Sequence, residues 1–564
     1  MTEKKIHPLD TQTPGKKKTG NSPVPQEENT LKDIAKFIAP YWKKGIIPVL
    51  FLLVSTIISF AYPMFSKWAI DGVVLKKDYD MLPTLAITFL ILILLQRLFS
   101  YLNQITFFKF QKDSILDIQV NLLRKIFYYP MEFFDKNHSG YMMGRIRGDV
   151  AGLSYIFSEG LVMTVMDFVK FAGVFVILMT MNVKLTLISV CILPFLLLKI
   201  FSSKAGIKKI NEKILEENAR LEKELSDTFQ GIEVFKSFSK EEEGIKRTEE
   251  GITGFQQIEV ERNLILSKYR SIMGLIVHFG EVLLLYFGIG EVLAGNLTLG
   301  SYMAFSGYLM FLYGPIRNLS TLNILFDYAQ RSYKRIRELL DILPEDSGPV
   351  EIEEIERIDG ENLSFSYEGR AGIIKGLDFS IKKGDKVLVE GESGSGKSTL
   401  VKLLLGLYRP QAGEIKYNGI DLKEIDLKKL RERVGYISQN VFLFNKTVKE
   451  NIILGHEAIT DKELEKLLRE CKLDKRINSF EKGLYEEISE KGYNFSGGER
   501  QRIALARALV KDPEIIIIDE GTSNLDVETE EEVLQKIEEK FHDKIIIRVT
   551  HRRAEDRGWK KITV

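Results

Sequence analysis

Six long apolar stretches occupy residues 46–316 and leave few folds open to the first half of this chain. A helix needs about 20 apolar residues to cross a bilayer, because ~30 Å of hydrocarbon is spanned at ~1.5 Å per residue. The stretches are Ile46–Trp68, Leu82–Phe108, Leu161–Met181, Leu185–Phe201, Tyr269–Leu293 and Leu299–Ile316, with Arg97 and Asp167 interrupting two of them. Long connections, Lys109–Gly160 and Ser202–Lys268, separate the second span from the third and the fourth from the fifth. Apolar residues recur there at three- and four-residue spacing, as in Leu116, Val120, Leu123 and Ile126, which predicts helices continuing beyond the membrane. Their tips, Phe133-Phe134-Asp135-Lys136 and Gln230-Gly231-Ile232-Glu233, are expected to dock against the C-terminal half.

Charge sets the orientation. The first long connection carries Lys112, Arg124, Lys125, Arg145 and Arg147, and the second is rich in Lys and Glu, whereas the turns Asp71–Asp80 and Asn182–Lys184 are nearly neutral. The positive-inside rule puts the N-terminal tail and the long connections in the cytoplasm, and six spans return the C-terminal half there. Residues 1–29 hold Lys16-Lys17-Lys18 and Pro8, Pro14, Pro23 and Pro25 with no apolar signal core, so they are read as a disordered cytoplasmic tail rather than an anionic-lipid anchor. The whole-chain averages, 45% hydrophobic and 28% charged, blend a membrane half with a soluble half, and a net charge of +1 argues against a nucleic-acid partner. Cys191 and Cys471 are too few and too unlike for a disulfide framework, which fits a reducing compartment. The triplet Asn296-Leu297-Thr298 fits a glycosylation sequon but sits in a tight turn and carries no weight.

From about residue 350 the pattern changes to short alternating strands and helices. The strand Val387-Leu388-Val389 leads through Glu390 into Gly391-Glu392-Ser393-Gly394-Ser395-Gly396-Lys397-Ser398-Thr399. Glycines there let backbone N–H groups turn around phosphate oxygens at a helix start, Lys397 reaches the outer phosphates, and the Ser398 hydroxyl helps hold Mg²⁺. A fortuitous Gly-rich turn is the bland alternative, and the Lys-Ser-Thr after a strand argues against it. The run Ile515-Ile516-Ile517-Ile518-Asp519-Glu520 reads as a buried parallel strand ending in two acids. Asp519 is placed to meet the Mg²⁺ shell, and Glu520 to orient or deprotonate an attacking water.

Phe495-Ser496-Gly497-Gly498-Glu499-Arg500-Gln501-Arg502 stands between those two sites, and with it the chain resembles the ABC transporter family from about residue 30 onward. The resemblance implies an all-α six-helix transmembrane domain over 30–344 and an α/β P-loop ATPase domain over 345–564, in a cell membrane with the ATPase domain cytoplasmic. By the same resemblance Tyr367 stacks on adenine, Gln439 contacts Mg²⁺ and the membrane half, and His551 contacts the terminal phosphate. Glu490-Lys491-Gly492 is similar to the exporter-specific segment, and Ser523-Asn524-Leu525-Asp526 to the loop that crosses between paired ATPase domains. In the membrane half, Trp68-Ala69-Ile70-Asp71, Phe133–Gly140 and Ser332–Ile336 resemble the exporter subfamily. Each ATP then sits between the phosphate loop of one copy and Phe495–Glu499 of the other, so a homodimer is expected, with a heterodimer as the alternative. Departures from the family pattern are Phe495 and Glu499 in place of Leu and Gln, and Gly521 and Asn524 in place of the commoner alanines; the first two are a mild hint of peptide cargo. Exporters usually continue through a further strand and helix after the histidine, so a shortened C-terminus is expected here.

Charged groups inside spans face a cavity or a partner. Asp167 with Lys170, and His278 with Glu281, are expected to pair, with Arg97 a further candidate partner. Glu281 and His278 are the candidate lining of a cargo cavity favouring cationic or amphipathic molecules. The expected activity is ATP-driven export of a drug, lipid or peptide by alternating access. The alternatives are an importer on the same fold and an ATP-gated channel or sensor. No peptidase-like extension precedes the membrane half, which weighs against a processing peptide exporter.

Overall fold

A computed structural model describes residues 33–564 apart from 35, 38, 158, 370–371, 393, 455, 457–458, 490–491, 493, 521–526 and 551–557. The tail, residues 1–29, lies outside the described residues. The chain divides into two units, Met1–Phe127 with Ser139–Ile342 and Tyr128–His138 with Leu343–Val564.

The first unit is helical. Ala39–Val74, Met81–Phe127, Val162–Met181, Val183–Gln230 and Glu241–Leu293 are each long and apolar enough to cross a membrane, with mean hydropathy of 2.0 to 2.3 over their best windows. The fourth breaks at Cys191-Ile192, where Pro194 near the restart lacks the N–H that an unbroken helix needs. The sixth predicted span falls on Leu299–Leu340, which is long enough at 42 residues but carries Ser306, Gly307, Tyr308 and Tyr313 among its apolar residues. It is nonetheless central, since Phe305, Tyr308 and Leu312 are buried against Val174, Leu178 and Leu185. Its tyrosine hydroxyls donate to backbone carbonyls, Tyr308 to Phe60 at 2.7 Å and Tyr313 to Ser189 at 3.1 Å, which makes their burial affordable.

The long connections are helical, as their periodicity predicts. Leu193–Gln230 and Glu241–Leu293 pack through Ile210, Ile214 and Ile258, with Lys213–Glu261 and Arg247–Glu224 ion pairs along the rim at 3.1 and 3.0 Å. The tip around Gly231 belongs to the first unit, whereas Tyr128–His138 belongs to the second.

The second unit holds two sheets. Strands β1 (Arg357–Phe365), β2 (Ile374–Lys382), β4 (Ala412–Tyr417) and β5 (Ile420–Asp421) form an antiparallel sheet of order β2-β1-β4-β5. Strands β3 (Lys386–Glu390), β6 (Val434–Ile437), β7 (Ile515–Asp519), β8 (Ile545–Val549) and β9 (Lys560–Thr563) form a parallel sheet of order β6-β7-β8-β3-β9. The four isoleucines of β7 alternate between two cores. Ile515 and Ile517 pack with Val387, Val389 and Leu400, and Ile516 and Ile518 with Ile437, Ile503 and Phe541. A parallel strand covered on both faces has no polar side to spare, hence the unbroken apolar run.

Strand β9 corrects the expectation of a chain that stops before its next strand. Lys560–Thr563 pairs with β3 from Val387 to Glu390, and Val564 N–H donates to the Glu390 carbonyl at 3.0 Å. Its signal is weak because an edge strand needs little inward apolar surface, and only Ile562 is buried. The helix Met131–Lys136 also folds into the second unit. Met131 packs on the core of β3 and β7, Tyr408 OH donates to the Asp135 carboxylate, and Lys136 pairs with Glu368.

Candidate functional site

Side-by-side strands of the parallel sheet bring the candidate groups together at their C-terminal ends, where open α/β sheets place their ligands. Val389 and Asp519 both lie opposite Val549 of β8, so the loops leaving β3 and β7 start on the same level. After β3 the chain turns through Gly394 and Gly396, at φ of +82° and +111°, into the helix Lys397–Leu404. A Cβ on Gly396 would come within 2.6 Å of Ile373, so both the left-handed backbone and the close approach call for glycine. The Lys397 side chain is buried and folds back into the loop, donating to the Gly391 and Glu392 carbonyls at 3.0 and 2.9 Å. Ser395 Oγ is buried with no hydrogen-bond partner among the described residues. An ammonium, an unsatisfied hydroxyl and a helix N-terminus around one turn make a phosphate-shaped cradle. Ser393 lies outside the described residues.

Ser398 Oγ donates to Asp519 Oδ1 at 3.0 Å, joining the helix start to the end of β7. Burial pushes the Asp519 carboxyl above its ordinary value; the Ser398 bond opposes that and the Glu520 charge adds to it. Glu520 takes a left-handed φ of +49°, with its N–H donating to the Val549 carbonyl at 3.1 Å, and its Oε2 accepts from Gln439 Nε2 at 2.7 Å. Non-glycine residues seldom adopt that region, and such strain gathers at functional sites. Thr399 Oγ1 lies 3.4 Å from Tyr367 OH, and the Tyr367 ring packs edge-on to Phe365 and Tyr408 at 5.0 and 5.3 Å. Lys402 stands 5.8 Å above the Tyr367 ring, one turn along the helix, a contact for which the sequence offers no separate signal.

Ser496 caps the helix Gly497–Leu509 in a capping box. Its hydroxyl accepts from Glu499 N–H at 3.2 Å, while its own N–H donates to Glu499 Oε2 at 2.8 Å. Phe495 is buried against Phe480, and the Arg476 guanidinium lies 4.4 Å over the Phe480 ring and 3.1 Å from the Glu499 carboxylate. Glu499 thus both closes the cap and pairs with Arg476. Sequence reasoning missed Arg476, which sits in an ordinary charged helix with no local spacing to mark it. His551, the Glu490-Lys491 pair and the Ser523–Asp526 loop lie outside the described residues.

In the first unit, His278 Nδ1 and Glu281 Oε2 pair at 2.9 Å without Arg97, both exposed. Lys170 and Asp167 pair at 3.3 Å.

Two family models cover most of the chain, one described as the ABC transporter transmembrane region over residues 46–316 and one as ABC transporter over 374–523. The chain belongs to the ABC transporter family. This transporter is 29% identical to an ATP-dependent lipid A-core flippase of Pseudomonas fluorescens, over 84% of this chain and 80% of that protein. It is 27% identical to YgaD of Bacillus subtilis, a protein named for multidrug export, over 93% and 92% of the two chains. The fold matches that of a bacterial Atm1-family ABC exporter with ATP bound at a TM-score of 0.79 and 23% identity, over 90% and 92% of the chains. The transporter is thus an ATP-hydrolysing membrane protein with the fold of the exporter type.

Proposed function

We propose that this transporter exports an amphipathic molecule, a lipid or drug before a peptide, from a membrane-embedded homodimer whose ATPase units face the cytoplasm. The observation that carries the proposed ATP chemistry is the pairing of Ser398 with Asp519 and of Gln439 with Glu520 beyond the C-terminal ends of β3, β6 and β7. Lys397 exchanges its loop carbonyls for the outer phosphates, and Tyr367 gives the adenine an aromatic face. Glu520 accepts a proton from the attacking water at its carboxylate, and Gln439 holds that carboxylate in place. Ser398 and Asp519 suit Mg²⁺, since two hard oxygens 3.0 Å apart, one of them a buried carboxylate, favour such a cation. Bound with ATP, Mg²⁺ would neutralise charge developing on the phosphates. Ser496 and the Gly497-Gly498 backbone would complete the site of a second copy, since one chain carries a single phosphate loop and a single such motif. Relatives named for lipid flipping and multidrug export support the cargo class. The exposed His278–Glu281 pair would line the cargo path; unchanged transport and unchanged cargo-stimulated hydrolysis in Glu281→Gln removes that assignment.

The test is ATP hydrolysis by the purified chain in lipid nanodiscs, wild type beside Glu520→Gln, across lipids, drugs and peptides. Cooperative hydrolysis in wild type, a loss of about 10²–10⁴-fold in Glu520→Gln and stimulation by one amphipathic class are expected. An inactive wild-type chain, or an active Glu520→Gln, overturns the homodimer or the general-base assignment respectively.

A further inference from the structure

A cavity of about 710 Å³ opens in the first unit where the helices Met81–Phe127 and Leu299–Leu340 begin, at the ends remote from their chain connections to the second unit. Its wall is mostly apolar, and Trp68 stands half exposed on it, as aromatic residues do at the level of lipid headgroups. Two lysines, Lys67 and Lys76, line it together with the hydroxyls of Thr84 and Thr88. Neither lysine is in an ion pair among the described residues. Asp71, the cavity's carboxylate, is already engaged, accepting from Thr298 Oγ1 at 2.5 Å and from Gly300 N–H at 2.9 Å. The stretch between the lysines, Ala69–Val74, is a π-helical turn, a wider coil that recurs at functional sites.

Two cations with no acidic partner, the Thr84 hydroxyl and an apolar wall beside Trp68 match the headgroup and upper acyl chain of an anionic lipid. We propose that this cavity binds one anionic phospholipid, with Lys67 and Lys76 on its phosphate and Trp68 against its chain. The site is separate from the cargo path and from the ATP chemistry, and the Asp71 bonds to Thr298 and Gly300 tie its floor to the start of the helix Leu299–Leu340.

The experiment uses the full chain in nanodiscs with Trp42 and Trp559 replaced by Phe, leaving Trp68 as the only one of the three tryptophans. Quenching of Trp68 by brominated phosphatidylglycerol is compared with quenching by brominated phosphatidylcholine at equal mole fraction. Two ammonium contacts predict a preference for the anionic lipid of roughly five- to thirty-fold. Lys67→Gln with Lys76→Gln reduces it to about parity, while the paired Arg replacements retain it and ATP hydrolysis persists in both. If the double Gln variant does not fold, the single Lys76→Gln, at an exposed position, reads a partial loss of about five-fold. Equal quenching by the two lipids in wild type, or a preference untouched by the Gln replacements, overturns the proposal. So does loss of the preference on adding soluble glycerol 3-phosphate, which would assign the cavity to a free anion.

Discussion

Replacing Glu499 separates two roles that the capping box combines. In Glu499→Ala the Ser496 N–H loses its acceptor at 2.8 Å and Arg476 loses its carboxylate at 3.1 Å. A lost cap contact costs about 1 kcal/mol. The ion pair adds about 0.2–1 kcal/mol, discounted because the Arg476 side chain is 38% exposed. In Glu499→Gln the amide oxygen still accepts from Ser496 N–H, since glutamine also closes a capping box, and only the charge term is lost. Hydrogen exchange across residues 495–509 in the nucleotide-free protein reads the difference. At tenfold per 1.4 kcal/mol, Ala accelerates exchange by roughly five- to thirty-fold and Gln by at most about five-fold. Equal acceleration in the two variants would refute the cap as the reason a carboxylate is tolerated at this position, and would leave the Arg476 pair as its whole role.

Two further outcomes test other parts of the structure. Burial raises the Asp519 carboxyl, so the folded protein keeps that proton to higher pH than the unfolded chain. The neutral carboxyl's contribution is complete below the ordinary carboxylate range and is lost as pH rises through the raised folded value. Asp519→Asn, neutral throughout, should therefore unfold no lower than wild type at pH 7 without nucleotide or metal. The gap should close below about pH 4; a clearly lower unfolding temperature at neutral pH counts against the burial argument. In the membrane unit, a Cβ on Gly300 would meet Asp71 Oδ1 at 2.5 Å and the Lys67 carbonyl at 2.6 Å. Gly300→Ala should cost about 1–3 kcal/mol by overpacking and lower the thermal unfolding of the reconstituted protein; an unshifted midpoint would mean that this contact yields freely.

Much of this architecture is legible residue by residue. The apolar runs specify their helices because a bilayer demands length and hydropathy together, and the phosphate loop is legible because its glycines, lysine and hydroxyls must be contiguous. The run Ile515–Ile518 announces a strand covered on both faces. The sixth predicted span is fainter, and its helix is not among the five that are apolar enough, over the described residues, to cross a membrane, because tyrosines whose hydroxyls find carbonyl partners cost little in place yet lower any count of apolar residues. Strand β9 hides behind a single inward isoleucine. Contacts between separate segments, such as Arg476 with Glu499 or Asp71 with Thr298, have no signature in spacing, since the fold alone brings them together.

The short helix Met131–Lys136 changes how the two units are joined. With Tyr128–His138 folded into the second unit, the backbone passes between units three times, at Phe127, at His138 and at Ile342. One strap between two bodies transmits only tension and leaves either free to swivel. Three straps also carry twist, so a rotation of the ATP-hydrolysing unit loads the ends of three different helical segments at once. A nick in any one of them should leave a transporter that still hydrolyses ATP but turns part of that motion into slack.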